Sequence, residues 1–235
     1  GFRIAADIDH PAGGHGNDSG KGCFVTAFAG RVEHHNIRVQ TLGGKLRGRL
    51  TGIGAEEAAL CGYGITHAGS TMHICWSAQA GLYYHYGIEK QVLSQKLSGI
   101  FSHTVCAPEN PLMAGFDDVF TAPHSRYSAV ETAGIRTVPE PEILAESGEA
   151  GVYAIWAKKR RQLFVLGHPE YDRDSLQKEY LRDLTADRGL RPPEHCFAEG
   201  DLNHPVPCTW RSGATLLFAN WLGVLAEKIY PALSR

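Results

Sequence analysis

The chain has 235 residues, 20% of them charged, and a formal net charge of −2 with histidine neutral. That length supports one α/β domain with a sizeable core, and the charge balance leaves no basic footprint for nucleic acid and no pull toward an anionic membrane. No apolar run approaches the roughly 18 residues of a membrane span.

Six cysteines, at positions 23, 61, 75, 106, 196 and 208, are scattered without a CxxC pair. This speaks against a zinc knuckle or a disulfide scaffold and for reduced thiols in a cytoplasm. Residues 1–30 alternate glycine, charge and short apolar pieces, without a signal-peptide pattern. The first residue is Gly1 rather than Met, as in a fragment or a processed product.

Residues 1–69 are glycine- and histidine-rich and read as an irregular or incomplete N-terminal region. Two strands are expected, at 22–28 (GCFVTAF) and 36–42 (NIRVQTL), where β-branched residues concentrate. The glycine-rich text around them reads as loops. Gly13-Gly14-His15-Gly16 and Gly20-Lys21-Gly22 lack the GxxxxGK[ST] spacing of a phosphate loop. His34-His35 has no partner ligands at metal-binding spacing, so no metal site is expected.

From Ser70 the pattern sharpens. A short apolar run, 72–75, changes into helix formers at Ala78, Gln79, Ala80 and Leu82, and Gly87 stops the helix. A strand turning sharply into a helix at Cys75 is the geometry of a nucleophile elbow. The unpaired amides of the helix start then lie near the sulfur and favour thiolate over thiol. A cysteine is also often just a small buried hydrophobe.

Residues 91–97 read as a loop carrying Lys96, 100–105 as a strand, and 111–118 as a loop. A strand at 119–122 is expected to deliver Pro123-His124-Ser125-Arg126-Tyr127 at its C-terminal end, where α/β enzymes keep ligands. Strands at 142–146 and 151–157, a solvated hairpin at 158–161 and a strand at 162–166 follow. An amphipathic helix at 174–186 shows Leu176, Tyr180, Leu181 and Leu184 on one face, and an apolar helix at 213–230 should pack on the sheet. The predicted fold is α/β, a three-layer sandwich with a mostly parallel sheet. Residues 70–235 form its catalytic region.

Gly167-His168-Pro169-Glu170 stands at the end of the 162–166 strand. If Cys75 ends an adjacent strand, His168 is the natural base for its thiol. Glu170 then orients the imidazole and stabilises its charged form. An isolated H-x-E tripeptide is weak, and a surface histidine is its ordinary reading. With a strand-turn-helix cysteine it makes a Cys–His–Glu triad for acyl transfer.

Residues 70–235 resemble the homoserine O-acyltransferases of methionine biosynthesis. The matching pieces are STMHICWSAQAGLYYHYGI, EKQVLSQKLSGIFSH, PLMAGFDDVFTAPHSRY, GHPEYDRDSLQKEYLRDL and TWRSGATLLFANWL, in order. The resemblance implies a class I glutamine amidotransferase-like (flavodoxin-like) fold. It implies Cys75 as acyl-thioester nucleophile, His168 as general base and Glu170 as its partner. Lys96, Ser125 and Arg182 match its substrate-binding positions, and the backbone amide of Trp76 its oxyanion donor. A guanidinium suits the homoserine α-carboxylate, which it can hold with two parallel hydrogen bonds. On spacing alone these three are an ordinary surface lysine, a turn residue and one side of an i,i+3 ion pair with Glu179. Trp210, Arg211, Ser212, Asn220 and Trp221 also match, in roles that are structural or functional. His124 is expected to pack.

The implied reaction moves an acyl group from acyl-CoA, a co-substrate rather than a bound cofactor, to L-homoserine by a ping-pong route. The wording after Cys75 favours acetyl-CoA over succinyl-CoA. No nucleic-acid or membrane partner is expected; a cytoplasmic homodimer is implied.

Residues 1–69 lack the family's Thr-Gly-Ala-Pro loop, of which 50–56 is a faint echo. The second oxyanion donor and the donor-selecting residue belong to that poorly matching part. The abrupt onset of motifs suggests an out-of-frame or misassembled N-terminal third. Two other functions compete: a glutamine amidotransferase-like hydrolase using the same triad, and an inactive remnant without a complete oxyanion hole.

Overall fold

The computed structural model describes residues 25–29, 39–41, 69–185, 189–198, 201, 202, 204 and 207–229. In chain order the elements are β1 (Val25–Ala29), β2 (Val39–Thr41), β3 (Ser70–Ile74), α1 (Trp76–Tyr86), β4 (Lys90–Val105), β5 (Val119–Val130), α2 (Thr132–Arg136), β6 (Pro141–Ser147), β7 (Gly151–Ala157), β8 (Gln162–Val165), α3 (Ser175–Leu184) and α4 (Arg211–Ile229). A 3-10 turn, Pro111–Met113, precedes β5. β1 and β2 overlap the two strands read from β-branched residues in the N-terminal third. The readings at 13–22 and at His34-His35 lie outside the described residues.

One sheet runs β2-β1-β3-β8-β7-β6-β4-β5. It is flanked by helices, as the α/β expectation required. The expected mostly parallel pairing is corrected: the sheet is mixed. β3 and β8 pair parallel, with Ile74 opposite Val165, and the other described pairs are antiparallel. The reason is connection length. A parallel return needs a crossover of about a dozen residues or more, whereas residues 148–150 and 158–161 are all that join β6 to β7 and β7 to β8.

Both faces of the central strands are covered, which explains their continuous apolar text. On one face Met72, Ile74, Trp156, Leu163 and Val165 meet Leu217, Trp221 and Leu225 of α4. On the other, Ile155, Phe164 and Leu166 meet Ala78 and Leu82 of α1 and Ile135 of α2. Alternation along β8 therefore sends successive side chains to opposite layers. Side-chain donors fasten α4: Trp221 Nε1 donates to Ser70 Oγ at 2.9 Å, and Asn220 Nδ2 to the Leu112 and Ala114 carbonyls at 3.0 and 2.8 Å.

Two local expectations are also corrected. The 91–97 stretch is no loop; it lies inside β4, and Lys96 falls where the β4–β5 register shifts between Val92 and Leu97. Likewise the segment from Pro123 to Tyr127 does not follow a strand but lies within β5, which continues to Val130. Proline is tolerated there because β5 is an edge strand among those described. Among the described residues, no helix is long and apolar enough to cross a membrane.

Candidate active site

Cys75 occupies the corner between β3 and α1. Its backbone is at φ 53°, ψ −112°, an unusual conformation for a non-glycine residue and the kind that functional elbows retain. The corner is held from both sides: Cys75 N–H donates to the Val165 carbonyl at 2.7 Å, and Gln79 N–H to the Cys75 carbonyl at 3.2 Å. Gly87 closes α1 in the left-handed conformation at φ 67°, where the sequence placed the stop.

Parallel pairing of β3 with β8 brings their C-terminal ends to the same edge of the sheet. Cys75 follows Ile74 there, and His168 stands three residues beyond Val165. His168 Nδ1–H donates to Glu170 Oε1 at 2.7 Å. That leaves Nε2 for Cys75, which together with Glu170 raises the His168 pKa. The ring stacks on Tyr171, centroids 4.1 Å apart and planes at 21°. His168 N–H donates to the Pro123 carbonyl at 2.8 Å, fixing the backbone that presents the ring.

Burial pushes the His168 pKa down. The negative charges at Cys75 and Glu170, with hydrogen bonds to both, outweigh that, and the imidazole is held well above its usual value. Such an imidazole keeps a proton beside a sulfur, which suits a thiolate nucleophile that needs an acid for its leaving group.

Lys96, Ser125 and Arg182 gather around two carboxylates of α3. Ser125 Oγ–H donates to Glu179 Oε2 at 2.6 Å. Lys96 Nζ lies 2.7 Å from Asp183 Oδ2 and 3.8 Å from Glu179 Oε2. Arg182 Nε and Nη2 both lie 2.7 Å from Asp183 Oδ1. Arg182 therefore pairs with its neighbour Asp183, not with Glu179 as the i,i+3 reading had it. The hydrogen bond to Asp183 raises its pKa, against some burial. Burial raises the Asp183 pKa, but hydrogen bonds from Arg182 and Lys96 lower it further, to a net value below the usual carboxylate range.

Tyr171 joins the two groups. Its ring covers His168 and its hydroxyl donates to Glu179 Oε1 at 2.6 Å. Burial and the Glu179 charge push its pKa well up, so the hydroxyl remains a donor. Trp210 Nε1 holds the Tyr171 carbonyl at 2.9 Å, giving one of the matched C-terminal residues a structural task. Sequence reasoning passed over Tyr171 and Asp183 and offered Glu179 only as an ion-pair partner of Arg182. The available signal was the spacing 179, 182, 183, which puts three charges on one side of α3.

His124, expected to pack, is fully buried but belongs to a polar chain: its Nε2 is 2.9 Å from His103 Nε2 and its Nδ1 meets Arg126. Trp76 is the first residue of α1, where its amide belongs to the helix start beside Cys75. Among the described residues, Glu149, Glu194 and His195 bring three metal-type ligand atoms within 4.8 Å of one another. All three are exposed, and His195 Nε2 is already 3.0 Å from Glu149 Oε2.

The family model described as homoserine O-succinyltransferase matches residues 56–231, beginning before the Ser70 onset read from motifs. Homoserine O-acetyltransferase of Lachnospira eligens is 47% identical over 167 residues, covering 70% of this chain and 53% of that protein. Homoserine O-acetyltransferase of Thermotoga neapolitana is 52% identical over 153 residues, covering 65% and 50%. The chain thus spans about half the length of these curated relatives. Among solved structures, SMU.1228c aligns at a TM-score of 0.54 and 14% identity, covering 74% of this chain and 70% of that one, a likeness of fold. Three quarters of the chain lies within the family match, including Cys75, His168 and Glu170. The chain belongs to the homoserine O-succinyltransferase family.

Proposed function

We propose that this chain transfers an acyl group from acyl-CoA to the γ-hydroxyl of L-homoserine through a thioester on Cys75, a step of methionine biosynthesis. The observation that carries the reading is Cys75 at its φ 53° elbow, at the same sheet edge as a buried His168 that Glu170 holds at 2.7 Å and whose pKa Cys75 helps to raise. The Cys75 thiolate attacks the acyl-CoA carbonyl, and the resulting oxyanion faces the Trp76 amide. His168 gives its proton to the departing CoA sulfur as the C–S bond breaks. The homoserine hydroxyl then attacks the Cys75 thioester while His168 takes its proton. Collapse releases O-acylhomoserine and restores the thiolate.

Arg182 and Lys96 supply positive charge for the homoserine carboxylate, and Ser125 shapes the same pocket. Glu179 and Asp183 hold these groups until substrate arrives. Acetyl is the favoured donor, since the similar curated proteins are described as acetyltransferases. Acyl-CoA acts as co-substrate in a cytoplasmic, homodimeric enzyme. Initial rates with acetyl-CoA and L-homoserine both varied test the reading. Parallel double-reciprocal lines are expected; intersecting lines contradict a covalent intermediate. Ammonia release from glutamine would instead identify the amidotransferase-like hydrolase.

A further inference from the structure

We propose that Arg126 is a positioning residue for the Cys75–His168 pair: its buried guanidinium fixes the strand end that carries His168 and supplies the positive charge beside which the Cys75 thiolate forms. The inference rests on Cys75 being the nucleophile and assigns a role to the one buried arginine among the described residues.

Arg126 is 5% exposed. Its Nη1 donates to the Leu166 carbonyl at 3.1 Å and to His124 Nδ1, and its Nη2 donates to the Ala150 carbonyl. Leu166 lies two residues before His168. The neighbouring peptide groups are tied to the same site: the Val165 carbonyl accepts from Cys75 N–H, and the Pro123 carbonyl accepts from His168 N–H. The Ser125 carbonyl, adjacent to Arg126 in sequence, lies 3.9 Å from Cys75 Sγ. The 123–126 segment of β5 therefore touches both the nucleophile and the base, and Arg126 locks it to the end of β8.

No carboxylate among the described residues neutralises this cation. A guanidinium only donates, so His124 Nδ1 must accept, and His124 then passes its Nε2 proton toward His103. Burial holds His124 well below its usual pKa and brings His103 to about 4, so both rings are neutral. Burial also lowers Arg126 to about 10, which leaves it charged at neutral pH. The opposing charge it senses is Cys75. A buried, unpaired cation is costly. In this proposal its counter-charge is the Cys75 thiolate, which acylation of the sulfur removes.

The test is alkylation of Cys75 by iodoacetate and by iodoacetamide at neutral pH, followed by peptide mass spectrometry. The reagents differ in charge and little in size, so their rate ratio reads local potential and cancels accessibility. Exposed Cys106 serves as an internal reference. Arg126→Gln is expected to lower the iodoacetate-to-iodoacetamide ratio at Cys75 by about threefold or more, and Arg126→Lys to keep it within about twofold of the parent. An unchanged ratio in a cooperatively melting Arg126→Gln protein overturns the proposal. If that variant does not fold, Arg126→Lys decides: a retained ratio supports the proposal, and a threefold fall overturns it. Alkylation needs neither acyl-CoA nor homoserine, so failure of this idea and failure of the acyltransfer reading are told apart.

Discussion

Cys75 and His168 stand at the same edge of the sheet because the strands that deliver them, β3 and β8, pair parallel, and Glu170 holds His168 there at 2.7 Å. Parallel pairing is what lets two residues 93 positions apart meet at one edge of the sheet. Among the described strands, this site sits on the one parallel step of an otherwise antiparallel sheet.

Glu170 should set the protonation of His168. Glu170→Gln removes a charge and a charged hydrogen bond that lift the imidazole, so the ring should release its proton at lower pH in an NMR titration. A group raised on folding stabilises the fold fully below its ordinary value, about 6.5 for histidine, and loses that contribution as pH rises through the raised value. The Tm gap between parent and Glu170→Gln should therefore be widest near and below that ordinary value and narrow toward alkaline pH. An unmoved His168 titration would remove Glu170 from the triad.

Arg182 should matter for homoserine binding more than for chemistry. Its side chain is about half exposed and turned onto Asp183, so it is available to a carboxylate that replaces that partner. Arg182→Ala should raise the homoserine KM by roughly 10- to 100-fold, the worth of a charged hydrogen-bond pair. Its effect on the first, acyl-CoA half-reaction should be within about threefold. An unchanged homoserine KM contradicts the assignment.

Gly167 is a packing constraint directly before the base. A Cβ there would lie 2.8 Å from Tyr153 Cε2 and 3.0 Å from the Pro123 carbonyl, the acceptor that holds His168 N–H. Gly167→Ala should cost about 1–3 kcal/mol and slow acylation. Gly223, exposed in α4 with nothing within 4 Å, is the control: Gly223→Ala should stabilise by about 0.5–1 kcal/mol. Thermal melts of the two variants check the contrast; equal Tm changes would contradict it.

The elbow strand β3, β7 and β8 were legible because their apolar runs are buried on both faces, and α4 because its apolar text is long enough to mark a helix packed on the sheet. Residues 91–97 were not. That part of β4 is largely exposed and carries Ser, Gln and Lys where a half-buried strand would alternate. The antiparallel pairing of β6–β8 was implicit in the short connections, which forbid parallel crossovers. The pairing of His168 with Glu170 was suggested because GHPE follows a strongly apolar strand. The contacts of Tyr171 and Arg126 could not be read: they depend on what these residues face across the sheet and on α3, and local spacing carries no trace of that.

The most direct test of the central claim is intact-protein mass spectrometry after mixing the protein with acetyl-CoA or succinyl-CoA, without homoserine. One acyl adduct is expected, located on Cys75, absent in Cys75→Ser and discharged by L-homoserine. A folded protein that forms no adduct with either donor would contradict the acyl-thioester mechanism for this chain.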